Sequence, residues 1–339
     1  MSITSKELAA LAGVSRGTVD RALNHRGGVK PAVQQRIESL AREHGYRPNR
    51  AGRALVMREP LRVSILLNAA GNPFFDEVRR GLEAGVAAYS DFAVELNRRE
   101  AKGYSLDTQL SQLDEAAAAG AAGIILTPLN HPEVADRLEA LERKGCRVVT
   151  LNTDVEGCSR LAHVGCDYLG SGHAAAQMLG LLSRGECRVL IVTGSPRVLG
   201  HNQRIAGFSQ VLREDFPGIM VAGVVENDDD DVESHRQVRR ALEADTSIDA
   251  LYFCAGGVPG GVRAALERGG PKPLIITCDT PPDTRRLIRD GLVEATIGQQ
   301  PFWQGQTAMH TLLDALLFQK EPETRCLYSQ NEVRIRYTL

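Results

Sequence analysis

From Leu61 almost to its end the chain alternates short apolar runs with amphipathic stretches, and this alternation constrains its fold more than any other feature. RVSILL, FAVELN, AGIILT, RVVTLN, LAHVG, RVLIVTG, IMVAGVV, DALYFC, PLIITC and VEATIG read as strands. Between them FFDEVRRGLEAGVAAY, LDTQLSQLDEAAAAG, HAAAQMLGLLSR, VESHRQVRRALEA and WQGQTAMHTLLDALL carry apolar residues at helical spacing. Apolar strands separated by amphipathic helices form parallel sheets covered on both faces. About ten strands exceed one ordinary parallel sheet, so two Rossmann-like lobes are expected. The 33 glycines and the low aromatic content, 5%, fit a chain with many tight strand–helix turns. At 339 residues there is room for two domains and a small third.

The first 46 residues follow a different rule. Ser5 precedes KELAALA, with Leu8 and Leu11 on one side, and Gly13 ends the run. Ser15 is placed to cap RGTVDRAL, whose buried stripe is Val19, Ala22 and Leu23. Helix, glycine-containing turn, helix is the helix-turn-helix layout. Pro31 opens a third helix, AVQQRIESLAREH, closed by Gly45. After Pro48, Asn49 can cap the short segment RAGRALVM, a marginal helix on its own and the natural linker. The expected domains are therefore residues 1–46, a hinge at 47–60, and a body at 61–339. Within the body the first lobe is expected at about 61–163 plus 295–324, and the second at about 164–294 plus 325–339.

Charge separates the same two regions. Residues 1–59 hold eleven Lys and Arg against five acids, a formal +6, so the overall −2 leaves −8 on the remainder. A basic head on an acidic body suits a nucleic-acid reader attached to a separate module. The seven cysteines are scattered singly with no Cys-x-x-Cys pair, which reads as reduced core thiols in a cytoplasmic protein. No basic n-region precedes an apolar h-region, and no apolar run is long enough to span a bilayer, so neither export nor membrane insertion is expected.

In open parallel sheets, ligands sit beyond the carboxyl ends of the strands. The residues found there are Asn68, Asn72, Phe74 and Phe75; Asn152, Thr153 and Asp154; His201 and Arg204; the stretch Ala255, Gly256, Gly257; Asp279 and Thr280; and Gln299 and Gln300. Aromatic faces, amides, one arginine and one carboxylate suit a polyhydroxylated small molecule.

With these motifs in hand, the chain resembles the lac repressor (LacI) family of bacterial transcription regulators over essentially its full length. The most specific segment is LAALAGVSRGTVDRALNHRGGVKPAVQQRIESLAREHGYRPNRAGRAL. The body resembles the periplasmic sugar-binding fold, nearest the ribose-binding type, through NPFF, DTPPD and ATIGQQP. The resemblance implies an all-α helix-turn-helix domain on an α/β two-lobed body, and a homodimeric repressor of operator double-stranded DNA. It places Ser15, Arg16, Gly17, Thr18 and Arg21 toward the major groove, where Arg16 and Arg21 can each read a guanine edge. Ser15, Thr18, Asn24 and Tyr46 fall at phosphate-contact positions. Leu55 matches the hinge leucine wedged into the minor groove, with Asn49, Arg50 and Arg53 beside it. Asn72, Phe74, Phe75, Asn152, Arg204, Asp279 and Gln299 fall on ligand positions. Asn152 and the Ala255, Gly256, Gly257 stretch depart from the ribose-type pattern. They suggest an effector larger than a pentose, or one with an anionic group held by Arg204 and free glycine N–H groups. A sugar, a sugar phosphate or a sugar acid fits this description.

Other motifs carry less. Gly170-Ser-Gly172-His-Ala-Ala175 matches a dinucleotide fingerprint, but Asp167 capping a helix accounts for it, and no cofactor is expected. The aspartate run at 228–231 lacks the turn glycine and final glutamate of a calcium loop and reads as a solvated loop. No histidine pair has metal-ligand spacing. An enzyme is not expected, since no Walker A loop occurs and no histidine lies near a nucleophile. The rival readings, a sugar-processing enzyme or a transport-type sugar-binding protein, leave the basic head unexplained.

Overall fold

A computed structural model describes residues 3–23, 27–44 and 59–339. The head holds three helices, α1 (Ser5–Ala12), α2 (Arg16–Leu23) and α3 (Pro31–Glu43). Thr4, not Ser5, caps α1: its hydroxyl accepts from Glu7 N at 3.3 Å, while the Glu7 carboxylate accepts from Thr4 N at 2.7 Å. A Thr followed by Glu three residues on is the capping-box spacing, which takes precedence over a lone serine. Gly13 ends α1 at φ 66°, and Ser15 Oγ accepts from Thr18 N at 3.1 Å to start α2. Leu8, Ala9, Ala12, Val19, Ala22 and Ile37 form the small core, whereas Leu11 is 46% exposed rather than buried beside Leu8. His44 follows α3, and Gly45 lies outside the described residues.

The body has two sheets of six strands each. The first runs β11 (Cys326–Ser329), β5 (Ala162–Cys166), β4 (Arg147–Asn152), β3 (Gly123–Leu126), β1 (Leu61–Leu67), β2 (Val94–Glu100), all parallel. The second runs β12 (Glu332–Arg334), β10 (Ala295–Gly298), β9 (Leu274–Cys278), β8 (Ala250–Phe253), β6 (Cys187–Thr193), β7 (Ile219–Glu226), with only β12 antiparallel. All ten expected strands form. The lobe boundaries differ from expectation: β10 joins the second sheet, and β11 returns to the first before β12 crosses back.

Helices α4 (Phe74–Ala87), α5 (Leu106–Ala118), α6 (Pro132–Arg143) and α12 (Pro301–Phe318) cover the first sheet. On the second lie α7 (Tyr168–Leu182), α8 (Leu199–Asp215), α9 (Asp231–Ala244), α10 (Val258–Glu267) and α11 (Pro282–Arg289). The chain therefore passes between lobes three times, after β5, after β10 and after β11. Ser329 ties the three crossings together. Its hydroxyl donates to Gln299 O at 2.6 Å and lies 3.2 Å from Gly165 O, while Asn331 Nδ2 donates to Asp167 O at 2.7 Å.

Close helix contact fixes the second lobe beside the cleft. A Cβ on Gly172 would sit 2.2 Å from the carbonyl oxygen of Arg204, so glycine is what lets α7 and α8 touch. This packing, with the Asp167 carboxylate accepting from Gly170 N at 2.9 Å, accounts for the glycine pattern that resembled a dinucleotide loop. Below, Phe208 stacks on Tyr252 at 4.3 Å between ring centroids, both fully buried, each ring contributing roughly 1.5–3 kcal/mol of burial. All seven cysteines are free thiols. Burial pushes Cys146, Cys166 and Cys254 up to about 12, which keeps them protonated and inert.

Candidate ligand cleft and DNA-binding face

The carboxyl ends of both sheets open on a common cavity of about 320 Å³. Asn72, Phe74, Phe75, Asn152, Arg204, Asp279 and Gln299 all line it. The chemistry concentrates on Arg204, in the first part of α8 and only 3% exposed. Its Nη1 donates to Cys254 O at 2.9 Å, its guanidinium carbon lies 4.9 Å from the Tyr168 ring centroid, and Nη2 is 4.0 Å from Asp279 Oδ2. Arg204 Nε and Nη2 and Asp279 Oδ1 are buried without a hydrogen-bond partner. Unpaired buried groups of this kind cost about 1–3 kcal/mol each, more when charged, and mark a place where a partner is awaited. Burial pushes the Asp279 carboxyl above the ordinary carboxylate range, against the pull of Arg204 and of the Gln299 amide.

The amides act differently. Gln299 Nε2 donates to Asp279 Oδ2 at 2.7 Å, and Asn152 Nδ2 donates to Gln299 Oε1 at 3.2 Å. Tyr168 O–H reaches Gln299 Oε1 at 3.1 Å and also Asn152 O, while Gln304 Nε2 donates to Gln299 O at 2.7 Å. Gln299 and Asn152 are thus spent largely on holding Asp279 and the crossing segments in place. Asn72 Oδ1 caps Phe74 N at 3.0 Å. Phe75 belongs to the first core at 6% exposure, and Phe74 stands edge-on to it at 5.1 Å. Asn152 and Asp279 hold φ values of 65° and 66°, and Asp228, Asp229 and Gln300 are also left-handed. Of the seven non-glycine residues with positive φ among those described, five border the cleft region, where such strain commonly accompanies function.

The aspartate run is the expected loop into the next helix, with Asp228 and Asp231 exposed and Asp230 capping α9, but it also borders the cleft. All four residues of 228–231 line the cavity, because β7 ends at the same sheet edge as β8 and β9. Tyr104 O–H from the first lobe donates to an Asp229 carboxylate oxygen, and Lys102 Nζ lies 3.2 Å from Asp230 Oδ2. Arg197 Nη1 donates to Tyr104 O at 2.9 Å, and Asn130 N to Arg197 O at 2.8 Å. These bonds hold the two lobes together on that side of the cleft. Asp229 Oδ1 also accepts from Gly256 N at 2.6 Å. That N–H, expected to be free for an anionic ligand, is therefore taken by the chain's own carboxylate. Six aspartates line the cavity against two cations, Lys102 and Arg204, and His201 stays neutral because burial pushes it down to about 4. The signal for this acid wall was its position directly after a strand, which the charge pattern masked.

On the head, Ser15, Arg16, Gly17 and Arg21 are exposed and Thr18 partly so, on the face of α2 opposite Val19 and Ala22. Ser15 and Thr18 hydroxyls are 2.9 Å apart. Asn24, Tyr46, Asn49, Arg50, Arg53 and Leu55 lie outside the described residues.

Residues 63–320 match the family described as periplasmic binding protein domain, and residues 4–49 match bacterial regulatory proteins of the lacI family. The chain belongs to the periplasmic binding protein family in its body and to the lacI family in its head. It is a DNA-binding transcription regulator with a ligand-binding body. The lacI-type relatives include the ribose operon repressor of Bacillus subtilis, 27% identical over 95% of this chain and 94% of that one. Catabolite control protein A of Priestia megaterium is 26% identical over 79% of each. The fold is also that of a glucose-galactose binding protein from Geobacillus stearothermophilus, with a TM-score of 0.76 and 24% identity over 83% of this chain and 99% of that one.

Proposed function

We propose that this lacI-type regulator is a repressor whose grip on operator DNA is set by a sugar whose neutral, hydroxyl-rich ring is held between the lobes. One observation carries the ligand class: Arg204 Nε and Nη2 and Asp279 Oδ1 are buried and unpaired in a single cavity. A sugar hydroxyl can accept from the guanidinium while donating to the carboxylate, which satisfies both at once. The acid wall disfavours a phosphate or carboxylate in this chamber, so monosaccharide phosphates and acids are poor candidates. Phe74 supplies an apolar face for ring C–H groups.

In this reading α2 enters the major groove, where Arg16 and Arg21 read guanine edges and the first turn's N–H groups take a phosphate. Asn24 and Tyr46 add phosphate contacts. Asn49, Arg50, Arg53 and Leu55 form a hinge over the minor groove that orders only on DNA. A cytoplasmic homodimer would set two heads on half-sites one helical turn apart. Lobe closure on the sugar changes the spacing of the paired hinges, so sugar and operator are coupled. The regulator reading is preferred to an enzyme because the unpaired polar groups suit binding and the head matches the lacI family.

A thermal-shift panel of neutral sugars, monosaccharide phosphates and monosaccharide acids, read alongside operator binding, tests the proposal. Neutral sugars are expected to stabilise the wild-type chain and not the Asp279→Asn variant, and to change operator affinity. Stabilisation by phosphates or acids alone, or binding unaffected by Asp279→Asn, would overturn it.

A further inference from the structure

A second chamber, larger than the first at about 710 Å³, opens directly outward from the cleft. The two share Pro73, Phe74, Asp279, Pro281 and Gln299 in their linings, so they adjoin at Asp279 and Gln299. The walls of the outer chamber differ in kind from those of the inner one. Arg285 and Arg289 stand one turn apart on α11, on the flank of the face that buries Thr284 and Ile288, and both line the chamber. Neither guanidinium has a hydrogen-bond or ion-pair partner among the described residues. Of the acids in the same chamber, Asp76 pairs with Arg79, which Glu100 shares, Glu77 with Arg80, and Glu332 with Arg334 and Gln300, while Asp279 keeps its Oδ1 unpaired. Facing them, α12 contributes Trp303, the chain's single tryptophan, half-buried in the wall.

We infer that the outer chamber is a second subsite, built for the next unit of a disaccharide-sized effector that bears an anionic group. This inference rests on the sugar-binding reading of the inner chamber and extends it. The inner chamber sets six aspartates against two cations and repels anions, whereas in the outer one four acids stand against three arginines, two of which, Arg285 and Arg289, have no partner among the described residues, in a wall that includes Trp303. A sugar ring stacks its C–H face on Trp303, and a carboxylate or phosphate on that ring meets Arg285 and Arg289. The arrangement also reconciles an anionic effector with an acidic cleft, since each end of the ligand finds the charge that suits it.

Trp303, as the chain's only tryptophan, reports on this chamber without knowledge of the natural ligand. Its fluorescence in the full-length protein is quenched by iodide and by caesium in separate titrations at equal ionic strength. Iodide is expected to quench several-fold better than caesium, and the Arg285→Ala/Arg289→Ala double variant to lose that preference. Equal quenching by the two ions, or a preference the double variant keeps, overturns the inference. In a second arm, glucose, galactose and ribose, then cellobiose and maltose, then cellobiouronic acid are titrated against wild type, the double variant and Asp279→Asn. An acidic disaccharide is expected to bind at least ten-fold tighter than its neutral counterpart, with a tryptophan signal, and to lose that gain only in the double variant. Neutral sugars that bind through Asp279, with no gain from the acid and no effect of the double variant, sink the outer subsite and leave the inner reading intact. No binding by any sugar sinks both.

Discussion

The Tyr104 hydroxyl of the first lobe donates to the Asp229 carboxylate of the second, and that bond spans the mouth of the cleft. The phenol is buried, and burial together with the Asp229 charge holds its pKa well above the ordinary value, so it remains a donor at any physiological pH. Asp229 in turn fixes Gly256 N, and a Cβ at Gly256 would lie 3.0 Å from the same carboxylate oxygen. The chain therefore carries an internal clasp that favours lobe closure. Hydrogen bonds to a charged acceptor contribute about 1.5–3 kcal/mol, which is about ten- to more than a hundred-fold in a closed–open equilibrium. Tyr104→Phe removes the donor and keeps the ring. Small-angle scattering is expected to show a larger radius of gyration for the ligand-free variant, with effector affinity reduced about ten-fold or more. Unchanged scattering and affinity would show that the clasp contributes nothing to closure.

Acid should weaken the fold in a defined window. Two imidazoles, His201 in the cleft and His163 in β5, are pushed down to about 4 by burial. In the unfolded chain both titrate near 6.5, so below that value the unfolded state takes up protons that the folded state refuses. Their contribution is complete above pH 6.5 and is lost as pH falls toward 4, at about 1.4 kcal/mol per pH unit for each ring. The raised carboxyl of Asp279 works in the opposite direction, because the folded state there binds its proton first as pH drops. Urea unfolding at pH 7.5 and pH 5.0 is expected to show net loss at the lower pH, and His163→Gln to remove about half of the histidine slope. A variant whose pH dependence matches wild type would exclude His163 as a contributor.

The inner strands were legible because burial on both faces leaves an apolar run, and the edge strands β2 and β7 keep part of one beside their exposed residues. β11 and β12 were not, since both lie at sheet edges where Tyr328 and Val333 are 53% and 45% exposed and the pattern is broken. Which sheet β10 and β11 enter depends on the crossings after Gly298 and Ser329, a long-range choice that no local periodicity encodes. The same division holds in the cleft. Arg204, Asp279 and the other expected residues were reachable from one rule, that ligands sit beyond strand ends. The aspartates at 228–231 obey that rule too, yet a run of like charge resembles a solvated surface until the topology turns it inward. Tyr168, Gln304 and Ser329 carry no sequence signal, because their roles arise from three crossing segments that meet only in the folded chain.

The proposed DNA reading separates specificity from affinity at two arginines, Arg16 in the head and Arg50 in the hinge sequence. Arg16 is exposed at the start of α2, where a bidentate contact to a guanine edge is worth about 1–3 kcal/mol of discrimination. Arg50, in the hinge sequence, is assigned to the backbone on the minor-groove side. Arg16→Ala is expected to relax the preference at one base pair in a binding-site selection, with most other positions unchanged. Arg50→Ala is expected to weaken binding to all duplexes evenly and to flatten the salt dependence by about one unit of slope. An Arg16→Ala variant that loses affinity uniformly would move that residue from reading bases to holding phosphate.

Gly172 offers a test of how the helix pair sets the ligand arginine. A methyl at this position would meet Arg204 O at 2.2 Å and Phe208 N at 2.7 Å, both backbone atoms that cannot swing aside. Gly172→Ala must therefore push α8 away from α7. Alanine is the better helix former by about 1 kcal/mol, so an isolated helix would gain from the change. Overpacking at a close crossing costs about 1–3 kcal/mol, and here the displaced segment is the one that presents Arg204 to Asp279. The net expectation is a lowered melting temperature together with loss of sugar binding, while the head keeps its affinity for DNA half-sites. A stabilised Gly172→Ala variant with normal sugar affinity would mean that the two helices have room to part without moving the arginine.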